Sequence, residues 1–266
     1  MATGNMQEIQ FAPIPWKGTT VQLEYQWIGA TDSPYPVVVF LHEGLGSIAM
    51  WKDFPQRFCK EHGFRGLVFS RYGYGQSTRR PPEEPLPFTY LHEQAHEALP
   101  AFLSTLGVER PWLFGHSDGG SIALLYAARF PDGLSGIVVV APHIFVEDVT
   151  VDGLRTVRDM YLHTDFAARL ARYHADGDAV FWGWNNAWLD PGFRSWNIED
   201  EVRKITCPVL ALQGEQDEYA TLEQIHGIER LAQHARAVPL PECGHVPHRD
   251  QPALLSMHAG RFIRQD

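Results

Sequence analysis

The feature that most constrains the fold of this chain is a regular alternation between short, unbroken apolar segments and longer segments with a helical pattern. Eight strands are predicted, at residues 7–11, 21–28, 37–41, 66–70, 112–115, 136–141, 208–213 and, more weakly, 237–240. Five helices are predicted, at residues 51–62, 90–106, 119–130, 222–233 and 251–263. Unbroken apolar runs are typical of strands covered on both faces. The alternation therefore predicts an α/β fold, with a mostly parallel sheet flanked by helices.

The alternation stops once, between about residues 143 and 200, where no strand is predicted. This segment has a helical pattern and contains four of the eight tryptophans, Trp182, Trp184, Trp188 and Trp196. Large aromatic side chains in such a segment either form a small core or line a pocket. We therefore expect one core domain, made of residues 1–142 and 201–266, with a helical insertion at residues 143–200.

Charge and cysteine content exclude several classes of protein. The chain carries 32 acidic and 22 basic residues, a net charge of -10, without a basic run. Nucleic acids and anionic membranes bind clustered cations, so neither is expected as a partner. The three cysteines are widely spaced, which argues against a disulfide framework or a zinc ribbon. Without a leader pattern or a long apolar run, we expect a cytoplasmic protein; the oligomeric state is not predicted.

A serine lies where a predicted strand meets a predicted helix. The motif Gly-His-Ser-Asp-Gly-Gly occupies residues 115–120, with Ser117 as its third residue. Small residues on both sides permit a tight turn that lifts the hydroxyl above the sheet edge, at the N-terminus of a helix. Ser117 is therefore the candidate nucleophile. The alternative is a glycine-rich turn with an incidental serine.

A serine hydroxyl needs a general base, and the base needs a carboxylate that fixes its tautomer. His245 follows the last predicted strand, and Asp217 follows the strand before it. Loops after parallel strands meet at the carboxyl edge of the sheet, where ligands bind in such folds. His248 is the rival base, although its position is more typical of loop packing. Glu215 and Glu218 are the rival carboxylates and are most simply interpreted as solvated charges.

An acyl-transfer reaction also needs donors that stabilise the oxyanion. The backbone N–H of Asp118, directly after the nucleophile, is one candidate. The loop at residues 42–47 contains two glycines, whose backbone can approach a reacting carbonyl closely. The alternative is that these glycines serve only a turn.

These motifs together resemble those of the α/β-hydrolase fold superfamily, and the resemblance covers nearly the whole chain. They lie at residues 41–44, 70–77, 115–120, 214–217 and 244–245. The resemblance implies that Ser117, Asp217 and His245 form a catalytic triad. It also implies that Gly44, or alternatively Leu45, supplies the second oxyanion donor, and that residues 143–200 form a cap.

The sequence departs from the family pattern at two positions. Glu43 replaces a glycine, and Asp118 replaces the usual Met, Leu or Gln. The second departure resembles the valacyclovir-hydrolase-like members, where this aspartate contacts a substrate amino group. Our hypothesis is a preference for amino-bearing esters, with substrate-binding residues Glu43, Asp118, Trp182, Trp184 and Trp188. The alternative is that Asp118 points into the turn and bonds to the backbone or to an arginine.

A second motif points to different chemistry. Residues 92–96 read His-Glu-Gln-Ala-His, and zinc metalloproteases place two histidines with this spacing on one helix face. A catalytic zinc needs a third protein ligand, and none follows at a family spacing. We therefore expect a solvated helix face and no metal.

The expected function is hydrolysis of a carboxylic ester of a small molecule, through an acyl-enzyme and without a cofactor. Three alternatives remain. They are a carbon–carbon bond hydrolase of ring-cleavage products, an acyl transferase with an acceptor other than water, and a non-catalytic ligand-binding protein on the same fold.

Overall fold

A computed structural model describes residues 8–81 and 83–265. Its centre is an eight-stranded sheet with the strand order β1-β2-β4-β3-β5-β6-β7-β8. The strands are β1 (Gln10–Trp16), β2 (Thr19–Gly29), β3 (Val38–Leu41), β4 (Arg65–Phe69), β5 (Trp112–His116), β6 (Gly136–Val140), β7 (Val209–Gly214) and β8 (Ala235–Leu240). β2 pairs antiparallel with both β1 and β4, and every other pairing is parallel. The predicted α/β fold with a mostly parallel sheet is confirmed.

Helices cover both faces of the sheet. The α-helices are α1 (Phe54–His62), α2 (Tyr90–Glu93), α3 (Leu99–Thr105), α4 (Asp118–Arg129), α5 (Asp148–His163), α6 (Phe166–Leu170), α7 (Gly177–Leu189), α8 (Glu199–Val202), α9 (Glu223–Leu231), α10 (Pro247–Asp250) and α11 (Pro252–Arg264). Successive residues of β3 enter opposite cores: Val39 packs with the side chains of α3 and α4, and Phe40 with those of α1 and α11. Burial on both faces explains why the sequences of the central strands, β3 to β7, are apolar without alternation.

Two predicted elements differ from the structure. The first strand is β1 at Gln10–Trp16 rather than residues 7–11, and Gln7 lies outside the described residues. Pro13 and Pro15 argue against a strand when the sequence is considered alone. The structure shows that β1 is an edge strand, where proline is tolerated. The helix predicted at 51–62 is divided into a 3₁₀ turn (Ile48–Trp51) and α1, because Lys52 has a φ of 54°.

Residues 143–200, all of them described, lie between β6 and β7 and contain α5, α6, α7 and the first two residues of α8. Their β structure is limited to an isolated bridge between Phe145 and Asn197. Val157, Tyr161, Leu170 and Phe181 form a small core of this segment, against which Leu45 and Met50 pack. The insertion is therefore held against the loop that follows β3.

Within residues 8–81 and 83–265, no helix combines the length and the apolar character that crossing a bilayer requires.

The core beneath β5 gives a test of the packing. Phe114 is fully buried, and its ring centroid lies 5.2 Å from that of Phe40 and 5.5 Å from that of Phe58. We expect Phe114→Ala to lower the free energy of unfolding by about 3–5 kcal/mol, because it leaves a cavity among rings that cannot collapse. The control is Phe11→Ala, since Phe11 is 50% exposed; it is expected to cost less than about 1 kcal/mol. Urea denaturation measures both, and equal costs would contradict this packing.

Candidate active site

Ser117 lies at a sharp turn between the end of β5 and the start of α4. Its φ of 51° and ψ of -117° are rarely adopted by a residue with a side chain. A Cβ at Gly115 would lie 2.2 Å from the carbonyl oxygen of Gly119. A Cβ at Gly119 would lie 2.1 Å from that of Leu41. The turn therefore requires glycine at both positions, which is the physical basis of the Gly-x-Ser-x-Gly spacing.

The structure brings Ser117 together with His245 and Asp217. Nε2 of His245 lies 3.0 Å from Oγ of Ser117, and Nδ1 lies 2.9 Å from each carboxylate oxygen of Asp217. Asp217 follows β7 and His245 follows β8, so both loops lie at the carboxyl edge of the sheet. Donation of the Nδ1 proton to Asp217 leaves Nε2 free to accept the serine proton.

The charges of the pair support this arrangement. Burial acts to lower the pKa of His245, but the charge of Asp217 and its hydrogen bond outweigh it, so the pKa lies above its usual value. Burial acts to raise the pKa of Asp217. The charge and hydrogen bond of His245 and the backbone N–H of Tyr219 outweigh this effect and lower the pKa. Asp217 is therefore ionised and stabilises an imidazolium at His245.

The rival residues have other roles. The ring of His248 packs against Trp51, with 4.8 Å between centroids, and burial lowers the pKa of His248 to about 3. It is a neutral packing residue. Glu215 is exposed, as expected, but Glu218 is more than a solvated charge, because its carboxylate accepts the backbone N–H of His245 at 3.1 Å. Glu218 thus helps to hold the loop that carries the base.

The three residues with candidate oxyanion donors lie beside one cavity. Gly44, Leu45 and Asp118 line the same cavity as Ser117. Asp118 is the first residue of α4, so its N–H has no acceptor within the helix. Among the described residues, none of the three N–H groups donates to a backbone carbonyl of a turn or loop. All three can therefore face a ligand, and both loop candidates stay open on these contacts.

The cavity at Ser117 has a volume of about 310 Å³. One side is polar and is formed by the loops at the sheet edge. The other side is apolar and comes mainly from the insertion; its lining residues are Leu154, Val157, Met160, Phe166, Trp184 and Trp188. A small ligand with one apolar group fits such a site.

The predicted tryptophans divide between two places. Trp184 and Trp188 line the cavity at Ser117, whereas Trp182 packs against Phe181 and faces a separate groove. Trp182 therefore does not line the cavity at Ser117, and its contact with a substrate stays a prediction. On a helix, residues four apart share a face and residues two apart do not, so α7 turns Trp182 away. That spacing was visible in the sequence.

Asp118 has internal partners. Its side chain is 1% exposed, the hydroxyl of Tyr90 donates to Oδ2 at 2.8 Å, and Nη2 of Arg71 lies 3.6 Å from Oδ2. Nε1 of Trp188 in turn donates to the Tyr90 hydroxyl at 2.7 Å. Burial raises the pKa of Asp118, and the charge of Arg71 opposes that rise. This geometry matches the alternative interpretation, in which Asp118 points into the turn and pairs with an arginine.

Glu43 lines the cavity, and its side chain is 23% exposed. Burial acts to raise the pKa of Glu43, but the nearby imidazole of His116 outweighs it, so the pKa lies well below its usual range. Oε2 of Glu43 lies 3.7 Å from Nδ1 of His116, and Nε2 of His116 donates to the backbone carbonyl of His245 at 2.7 Å.

Sequence reasoning missed His116, Arg71 and Tyr90, since no local pattern marks their long-range partners.

The second histidine motif is not part of this site. The rings of His92 and His96 lie 5.8 Å apart, and the glutamate between them, Glu93, pairs with Lys17 at 2.8 Å. The helix widens into a π turn at Gln94–Ala98, and both histidines are partly buried rather than fully solvated. Within the described part of the chain, no three potential ligands are grouped so that they could hold a metal ion.

Known proteins share the fold of this chain. A family model of the alpha/beta hydrolase fold matches residues 36–177. A bifunctional esterase/perhydrolase DCH from Acinetobacter calcoaceticus is 27% identical, covering 76% of this chain and 81% of the relative. The serine hydrolase BPHL from Homo sapiens is 28% identical, covering 86% and 78%. The solved proline iminopeptidase of Mycobacterium smegmatis superimposes with a TM-score of 0.77 at 19% identity, over 96% and 98% of the two chains, which shows the fold alone.

The charge of Asp217 makes a measurable prediction for His245. Asp217→Asn removes the largest of the contributions that raise the pKa of His245; burial, which lowers it, and the weaker effects of Glu218 and Glu43, which raise it, remain. We therefore expect the pKa of His245 in the variant to fall below its wild-type value, so that the ring becomes neutral at a lower pH. Titration of the imidazole nitrogens by ¹⁵N NMR measures this. The control is Asp200→Asn, because Asp200 is 92% exposed; a wild-type titration in Asp217→Asn would contradict the coupling.

Proposed function

This chain belongs to the alpha/beta hydrolase fold family and is a hydrolase, and from that premise we propose that it cleaves a carboxylic ester of a small molecule with Ser117 as nucleophile. The observation that carries the proposal is the continuous hydrogen-bonded series from Asp217 through His245 to Ser117 at the floor of a cavity. The relatives named esterase/perhydrolase and serine hydrolase support the same chemistry.

In the first half of the reaction, Oγ of Ser117 attacks the acyl carbon while its proton moves to Nε2 of His245. Asp217 stabilises the imidazolium through Nδ1. The imidazolium then donates that proton to the departing alkoxide as the carbon–oxygen bond of the ester breaks. The alcohol leaves, and the acyl group remains bonded to Ser117.

In the second half, water takes the place of the alcohol. His245 accepts a proton from the water as its oxygen attacks the acyl carbon. The same proton returns to Oγ of Ser117 when the acyl–serine bond breaks, which releases the carboxylic acid and restores the free enzyme. Every proton transfer uses Nε2 of His245, so no cofactor is needed.

Negative charge develops on the acyl oxygen in both halves. We propose that the N–H of Asp118 and that of Gly44 or Leu45 receive it, because backbone donors held by the fold need no reorganisation during the reaction. The N-terminus of α4 adds a favourable dipole at the same point. Each such donor is typically worth about 10²-fold to 10³-fold in rate.

The insertion at residues 143–200 is proposed to act as a cap on the core formed by residues 1–142 and 201–266. Support comes from Trp184 and Trp188, which lie on the apolar wall of the cavity. A volume of about 310 Å³ is at the lower end for ligand sites, so we propose a short or single-ring ester as substrate.

Removing the nucleophile tests the proposal. We expect Ser117→Ala to lower the hydrolysis of p-nitrophenyl acetate by about 10⁵-fold and to abolish the initial burst of p-nitrophenol, since no acyl-enzyme can form. Stopped-flow absorbance measures both. Ser104→Ala is the control, because Ser104 is exposed on α3. Hydrolysis and a burst that persist in folded Ser117→Ala would contradict the mechanism.

The internal pairing of Asp118 makes a second prediction. Asp118→Asn leaves the Arg71 guanidinium unpaired in the interior, so we expect a loss of about 3 kcal/mol in the free energy of unfolding. Its effect on kcat/KM is expected to be the same factor for the alanyl and propionyl esters of p-nitrophenol, which differ by one amino group. A loss confined to the alanyl ester would instead support contact between Asp118 and a substrate amino group.

A further inference from the structure

The peptide that joins Glu43 to Gly44 is held on its carbonyl side. Three groups donate to the carbonyl oxygen of Glu43: Nδ1 of His42 at 2.7 Å, Nη2 of Arg71 at 2.8 Å and the N–H of Gly46 at 3.0 Å. A trans peptide is planar, with its C=O and N–H directed to opposite sides. The N–H of Gly44 therefore points away from these three donors.

Arg71 provides one of the three donors from inside the protein. It follows β4 and is 2% exposed, and its guanidinium carbon lies 4.5 Å from the centre of the Tyr74 ring. Its backbone N–H donates to Nε2 of His42 at 3.1 Å. Burial and the charge of Arg71 lower the pKa of His42, so the neutral ring can accept at Nε2 and donate at Nδ1. Arg71 thus supports the Glu43 carbonyl both directly and through His42.

The same nitrogen of Arg71 also faces the other half of the oxyanion site. Nη2 donates to the Glu43 carbonyl and lies 3.6 Å from Oδ2 of Asp118. An unpaired carboxylate beside the developing oxyanion would oppose its charge. The guanidinium therefore offsets the negative charge of Asp118, the residue that departs from the family pattern at this position.

We propose that Arg71 is a positioning residue for the oxyanion site: it holds the Glu43 carbonyl, which orients the N–H of Gly44, and it compensates the carboxylate of Asp118. This inference rests on the proposed ester hydrolysis and deepens it, because it assigns the loop donor to Gly44 rather than Leu45. A guanidinium stays charged when it is buried and stacks on an aromatic ring, as Arg71 does on Tyr74, so arginine suits the position.

A pair of substrates separates this role from a merely structural one. A thionoester carries sulfur in place of the carbonyl oxygen, and sulfur is a weak hydrogen-bond acceptor. The oxyanion site therefore accelerates the ester much more than the thionoester. We expect Arg71→Met to lower kcat for p-nitrophenyl acetate by about 10²-fold with little change in KM. The ratio of ester to thionoester kcat/KM is expected to fall by about tenfold, whereas general damage lowers both rates equally.

Further variants keep the inference falsifiable. Arg71→Met leaves Asp118 as an unpaired buried charge, whereas Arg71→Met/Asp118→Asn removes both charges and is expected to fold. The double variant and Asp118→Asn differ only at position 71, so comparing their rate ratios isolates the effect of the Arg71 guanidinium. The control is Arg80→Met, because Arg80 is also partly buried and donates to the Ala179 carbonyl at 2.8 Å, outside this site.

The expected result is a reduced ratio in Arg71→Met and in the folded double variant, beside the wild-type ratio in Arg80→Met. A folded double variant with the wild-type ratio would overturn the role of Arg71 while leaving ester hydrolysis in place. A wild-type protein that hydrolyses neither substrate and resists fluorophosphonate labelling would overturn the proposed function itself, and this inference with it.

Discussion

The rest of this site depends on the backbone turn at Ser117. Its φ of 51° is unfavourable for a residue with a side chain, and it is held because Gly115 and Gly119 let β5, α4 and the end of β3 approach within contact distance. The turn has two consequences. It places the serine hydroxyl 3.0 Å from the imidazole of His245, and it leaves the N–H of Asp118 free at the N-terminus of α4.

The sheet then brings the remaining groups to the same edge. Loops after five parallel strands each deliver one group: Gly44 after β3, Arg71 after β4, Ser117 after β5, Asp217 after β7 and His245 after β8. Three carboxylates at this edge each face a basic side chain: Asp217 faces His245, Asp118 faces Arg71 and Glu43 faces His116. Glu218 also lines the cavity, and it accepts the backbone N–H of His245. A carboxylate paired with a basic group opposes the negative charge that develops on the substrate less strongly than an unpaired one would. The pairing therefore makes several acidic residues compatible with this site.

Much of the fold could be predicted from the sequence, because buried parallel strands are apolar throughout and helices separate them. Ser117, Asp217 and His245 could be selected as a candidate triad for the same reason, since each follows a recognisable strand. Two kinds of feature were not found. β1 contains prolines that only its edge position permits, and the Arg71–Glu43 and Tyr90–Asp118 contacts each join residues 28 apart that no local pattern connects. Arg71, the charged partner of Asp118, is brought to it by the turn after β4, and only the three-dimensional structure shows this.

The most direct test of this account is a crystal structure of the protein after reaction with a small alkyl fluorophosphonate. The account predicts a bond between phosphorus and Oγ of Ser117. It also predicts that the phosphoryl oxygen lies about 2.7–3.1 Å from the backbone nitrogens of both Gly44 and Asp118. A phosphorus bonded to another residue, or a phosphoryl oxygen directed away from these two N–H groups, would contradict it.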